Sequence, residues 1–244
     1  MQNESVITIK NLWKSFGENE VLKGINLSVN KGENLVVLGR SGSGKSVAIK
    51  CLVGLVQPDK GDIIVLGTTI TKLKNKELNK IRVHIGFMFQ NGALYDSMSV
   101  RQNLSFTLKH HTRNLSDPEI ETKIMEALEN VGLVEAVDKM PAELSGGMRK
   151  RIGLARTLII NPEIILYDEP TSGLDPITSR EISELILSIQ QKYKTTSIII
   201  THDMTCAKMT ANRILMLKDG IIHIEGTYVE LEKSNDEWVR SFFT

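Results

Sequence analysis

Eight residues, Gly39-Arg40-Ser41-Gly42-Ser43-Gly44-Lys45-Ser46, constrain the fold of this chain more than any other stretch. They follow the apolar run Asn34-Leu35-Val36-Val37-Leu38, which reads as a buried strand, and precede residues 47–55, apolar at helical spacing. Strand, glycine-rich turn and helix in that order predict a phosphate cradle. Glycines let consecutive backbone N–H groups curl round a polyphosphate, and the helix N-terminus adds its partial positive charge. Lys45 is spaced to reach the β- and γ-phosphates, and the Ser46 hydroxyl to hold Mg²⁺. The pattern predicts binding of a nucleoside triphosphate.

The rest of the chain fits an α/β protein built round that turn. Residues 6–12 and 25–29 alternate apolar and polar, as half-buried antiparallel strands do. Further strands are expected at 62–67, after the turn Pro58-Asp59-Lys60-Gly61, and at 85–89. From about 91 to 160 the pattern is helical, with Asp117 as an N-cap before Pro118 and a helix to about 131. Strands at 163–168 and 196–201, joined by a helix over 179–191, form a βαβ unit and hence a parallel pair. Residues 213–218 and 221–225 flank Asp219-Gly220, a type I′ hairpin turn. These elements predict one domain over 5–230, with a helical subdomain inserted at about 91–160 and a short tail at 231–244.

Thirty Lys+Arg against 29 Asp+Glu give a formal charge of +1, which lacks the electrostatic footprint of a nucleic-acid binder. The run Lys72-Leu73-Lys74-Asn75-Lys76 reads as a solvated helix face. Cys51 and Cys206 stand in predicted helices without metal or redox spacing and read as small hydrophobes. No signal peptide is expected from Met1-Gln2-Asn3-Glu4-Ser5, and no apolar run nears the roughly 18 residues of a membrane span. A soluble, cytoplasmic protein is the expectation.

A phosphate cradle needs acidic partners. Ile164-Ile165-Leu166-Tyr167-Asp168-Glu169 is an apolar strand ending in two carboxylates. Asp168 is placed to hold the Mg²⁺ shell, and Glu169, one step on, to polarise an attacking water.

Leu144-Ser145-Gly146-Gly147-Met148 resembles the LSGG(Q) signature of ATP-binding cassette (ABC) ATPases. With the P-loop, Gln90, the Ser172-Gly173-Leu174-Asp175 turn and His202 after a strand, it follows that family's motif order from Val6 to about Glu225. The resemblance implies a P-loop NTPase core with a mixed sheet, an antiparallel β subdomain and an inserted α-helical subdomain. It implies ATP and Mg²⁺ as ligands, and ATP hydrolysis. Phe16 takes the place of the adenine-stacking aromatic, and Gln90 that of the γ-phosphate and Mg²⁺ sensor. His202 would hold the γ-phosphate and the lytic water. Ser145, Gly146 and Gly147 offer a second set of helix N-terminal amides, and one chain does not easily bring two such helix starts onto one γ-phosphate. The family's answer is a head-to-tail ATP-dependent homodimer, with Asp175 crossing the interface. Met148 departs from the usual Gln, and Arg149-Lys150-Arg151 follows it.

With no membrane span of its own, a transport function needs a separate integral-membrane permease. An amphipathic permease helix could dock on the segment after Gln90, where Ala93, Leu94, Tyr95 and Met98 stand outside any obvious strand. The wording of 90–98, 144–151 and 166–176, and the tail Trp238-Val239-Arg240-Ser241-Phe242, is similar to the Mla/MCE-type phospholipid transport ATPases of double-membraned bacteria. That similarity implies an MCE-type substrate-binding partner and a place on the cytoplasmic side of the inner membrane. Importers of polar small molecules such as amino acids are the alternative; non-transport members of the family carry paired cassettes or coiled coils that this chain lacks.

Overall fold

The computed structural model describes residues 4–112 and 115–243. Its first sheet is antiparallel, in the order β2-β1-β4-β5. Strands β1 (Ser5–Phe16) and β2 (Asn19–Asn30) form a hairpin longer than the alternation predicts. Register shifts at Ile9/Leu12, Leu12/Trp13 and Lys14/Ser15 explain the difference, because each bulge resets the period-2 pattern while pairing continues. Strand β4 (Lys60–Val65) stops short of the expected 67: Leu66 and Gly67 take φ of 48° and 76° and turn the chain into β5 (Thr68–Thr69). The 72–76 run spans the start of helix α2 (Asn75–Arg82), and its three lysines are exposed, as expected of a solvated face.

The second sheet holds β3 (Asn34–Leu38), β6 (Ile85–Met88), β7 (Ile164–Asp168), β8 (Thr196–Ile200), β9 (Arg213–Lys218) and β10 (Ile221–Gly226). Their order is β10-β9-β3-β8-β7-β6, parallel throughout except for β10. Asp219 and Gly220 both take positive φ between β9 and β10, as a type I′ turn requires.

Helices α1 (Lys45–Leu52), α3 (Val100–His111), α4 (Asp117–Glu129), α5 (Gly146–Leu158), α6 (Pro176–Tyr193) and α7 (Met204–Thr210) complete the body, followed by α8 (Tyr228–Glu232) and α9 (Glu237–Arg240). The N-cap of α4 is Ser116, one residue before the expected Asp117, because Glu119 can return a bond to the Ser116 N–H at 2.8 Å and close a capping box. Helix α6 starts at Pro176, earlier than predicted, capped by Asp175.

Two apolar cores lie on opposite faces of the central sheet. Leu35 and Val37 of β3 join α1 and the antiparallel sheet, while Val36 and Leu38 join α3 to α6. Each buried side chain of this size contributes about 1.5–3 kcal/mol. The parallel strands thereby align their carboxyl ends, and ligands bind at that edge in open α/β sheets. Gly39 follows β3, Asp168 ends β7 with Glu169 directly after it, and His202 follows β8.

Candidate nucleotide site

The glycine turn between β3 and α1 tolerates no side chain at its tight points. A Cβ on Gly39 would stand 2.4 Å from the Leu217 carbonyl oxygen, and one on Gly44 would stand 2.8 Å from that of Val21. Gly42 has open space but a φ of 80°, so there the backbone conformation makes the demand. Lys45 is buried, and its Nζ donates to the carbonyls of Gly39 (2.7 Å) and Arg40 (3.0 Å). Burial pulls its pKa below the ordinary lysine value, against the opposing pull of the Glu169 and Asp168 charges. Ser43 Oγ is buried without a protein partner, and the Ser46 hydroxyl donates to Asp168 Oδ1 at 3.2 Å. An orphaned hydroxyl, a buried ammonium and a hydroxyl–carboxylate pair on a glycine cradle are the donor set that a triphosphate with its Mg²⁺ requires.

Glu169 stands where β7 ends, with φ of 51°, a left-handed conformation that costs a non-glycine residue about 1–3 kcal/mol. Its N–H donates to the Ile200 carbonyl at 2.9 Å. Its Oε2 lies 2.8 Å from Nδ1 of His202, whose side chain is mostly exposed. Residues from widely separated stretches therefore converge on one cleft of about 870 Å³. It is lined by Phe16, Asn19, Val21, the turn from Gly39 to Ser46, Gln90, Glu169 and His202. Phe16 keeps a half-exposed ring there, with Lys14 Nζ 5.2 Å from its centroid.

Five predicted residues do not line that cleft: Asp168, which reaches it only through its bond to Ser46, and Ser145, Gly146, Gly147 and Asp175. Ser145 caps α5 by accepting from the Met148 N–H at 3.2 Å, which places Gly146 and Gly147 in the first turn. The carboxylate of Asp175 accepts from the Ile177 and Thr178 N–H groups at 3.0 Å and from the Thr178 hydroxyl at 2.6 Å. Those bonds to Thr178 hold its pKa below the usual carboxylate value. Several residues at the site escape sequence reasoning, Asn19 and Val21 of the first hairpin among them. Phe242 reaches the cleft from the tail. Lys150 is buried, and its Nζ donates to the carbonyls of Gln90 and Glu169. The charge run 149–151 signals basicity but not burial, so nothing in the sequence singles out Lys150.

The family model for ABC transporters matches residues 22–172. This chain belongs to the ABC transporter ATPase family. It is 42% identical over 97% of its length to a probable ribonucleotide transport ATP-binding protein of Mycobacterium leprae, of which it covers 68%. It is 36% identical over 98% of its length to the intermembrane phospholipid transport ATP-binding protein MlaF of Haemophilus influenzae, covering 90% of that protein. It spans about two thirds of the length of the mycobacterial relatives. Among solved structures, a dimeric cassette, MJ0796, in a post-hydrolysis state with ADP and Pi superposes with a TM-score of 0.84 and 33% identity, over 91% of this chain and 98% of that one. The cassette is an ATPase that binds ATP, and its mixed and antiparallel sheets are those expected of the family. No helix among the described residues is long and apolar enough to cross a membrane.

Proposed function

We propose that this chain is the motor subunit of a membrane transporter, acting as an ATP-dependent homodimer on a separate permease and driving phospholipid movement. One observation carries the dimer: the P-loop, Gln90, Glu169 and His202 share a cleft that the signature amides of α5 and Asp175 do not line. A second copy, head to tail, would bring those amides to the γ-phosphate. Support comes from MJ0796, a cassette of the same fold described as a dimer.

Within the cleft, the turn amides and Lys45 bind the phosphates, and Phe16 stacks on the base. Ser46, Asp168 and Gln90 would hold Mg²⁺, which would supply positive charge against the phosphate oxygens. Glu169 accepts the proton of the attacking water, and His202, hydrogen-bonded to Glu169, orients that carboxylate and the water. Residues 5–230 act as one ATPase unit with its helical block at about 91–160, and the described part of the tail, 231–243, packs back through the buried Val239.

The permease-docking surface is a groove of about 380 Å³ beside Gln90, whose lining includes Phe87, Phe89, Tyr95, Phe106 and Arg156. Tyr95 is 46% exposed and meets Phe106 edge-on at 5.1 Å. Leu94 instead packs against the core, so the docking contact centres on Tyr95. An amphipathic helix with an apolar face fits such a groove. Docking there would place the chain on the cytoplasmic side of the inner membrane. Phospholipid as cargo, and an MCE-type substrate-binding subunit as a further partner, are supported by the MlaF relative and by the similar wording at 90–98, 144–151 and 166–176. Copurification with the permease, lipid mass spectrometry and ATP-dependent transfer between vesicles test it. A permease that binds an amino acid and no lipid would replace phospholipid with a polar cargo.

A further inference from the structure

Lys150 lies one turn into α5, four residues after Gly146, yet it is only 6% exposed and makes no salt bridge among the described residues. An ammonium has three N–H donors, and here each finds an acceptor outside its own helix. They are the Gln90 carbonyl, the Glu169 carbonyl at 2.9 Å and Ser172 Oγ at 3.3 Å. The Ser172 hydroxyl in turn donates to the same Glu169 carbonyl at 2.9 Å.

The flanking cations work elsewhere. Arg149 Nη1 donates to the Leu144 carbonyl at 3.0 Å, and Arg151 pairs with Glu181 at 2.6 Å. The basic run is therefore three unrelated contacts, of which only the middle one enters the site. A buried charge without a carboxylate partner is costly to a fold, and a lysine that only filled space would be better replaced by methionine. What the charge secures is the backbone of Glu169, whose left-handed conformation persists only where its surroundings fix it on both sides. The Ile200 carbonyl holds the N–H side. Lys150 and Ser172 hold the carbonyl side.

We propose that Lys150 is a positioning residue for hydrolysis: it locks the backbones of Glu169 and Gln90 to the helix that carries the signature amides. The proposal rests on Glu169 being the general base. All three Lys150 donors go to protein acceptors, and they set where the Glu169 carboxylate and the Gln90 side chain start. Misplacing a reacting group by about 1 Å costs up to about 10²-fold in rate.

The test uses K150M, K150Q and K150R in the full chain, with steady-state hydrolysis, nucleotide titration and thermal melting. K150M and K150Q should lose about 10–100-fold in kcat while KM and ATP affinity stay within about threefold. K150R, which keeps donors, should turn over faster than K150Q. Should K150M fail to fold, K150Q carries the same comparison. In the E169Q background, K150Q should leave the ATP-trapped dimer intact, since dimer formation does not require the positioned carboxylate. Three results would each overturn the proposal: kcat per folded molecule within about twofold of wild type, K150R no faster than K150Q, or loss of the trapped dimer in K150Q/E169Q. E169Q turning over at the wild-type rate would instead remove the assignment of Glu169 itself.

Discussion

The P-loop and the signature segment both open a helix on glycine, and they use that opening differently. Helix α1 begins at Gly44 with φ of 103° and no side-chain cap, so its first amides face the cleft unpaired by a cap. Helix α5 begins at Ser145 in an extended conformation, and the serine hydroxyl takes the Met148 amide. Each helix also buries one lysine. Lys45 bonds only to its own turn, at Gly39 and Arg40, whereas Lys150 bonds to Gln90, Glu169 and Ser172 on other elements. The P-loop is a local device completed within a few residues of chain. The signature helix is a junction whose role comes from what the fold brings against it.

The sharpest way to break that contrast is at the residue where the two regions meet. E169Q should lower hydrolysis by at least about 10²-fold while ATP still binds, because an amide cannot accept the proton. Size-exclusion chromatography with ATP should then show a dimer. Wild-type turnover would separate Glu169 from catalysis.

Damage on the P-loop side should act earlier. K45A removes charge-assisted bonds to the triphosphate, and ATP affinity should fall about 10–100-fold. Fluorescent nucleotide titration reads this directly, and unchanged affinity would disprove the local-device view.

The helical side should show its own division. L94D forces a carboxylate against the core and should lower the melting temperature by about 4–8 °C. Y95D, at the exposed groove, should melt within about 3 °C of wild type yet fail to copurify with the permease. Equal melting losses for the two would mean that Tyr95 is core as well.

The smallest effect concerns the thiols. Burial raises both Cys51 and Cys206 to about 11, so the native chain should resist a thiol reagent at pH 8. In urea both should react within the mixing time. Fast labelling of the native protein would mean that α1 or α7 opens readily.

The Gly39–Ser46 turn, the strand ending in Asp168-Glu169, the Asp219-Gly220 hairpin and the parallel β7–β8 pair were all legible in the sequence. Each is set by residues adjacent in the chain, where glycine freedom, β-branched runs and turn chemistry act over a few bonds. The bulged extension of the first hairpin was not, because pairing overrode alternation from Trp13 to Phe16. Nor was the Ser116 cap of α4, where the Ser116 N–H and hydroxyl donating to the Glu119 carboxylate outweighed the Asp-Pro pattern. Tertiary structure alone decided that Leu94 joins the core while Tyr95 lines a groove, that Phe242 returns to the cleft, and that the middle cation of Arg149-Lys150-Arg151 is buried against Gln90 and Glu169. Burial and long-range hydrogen bonds depend on which segments the two cores press together. No local pattern carries that information.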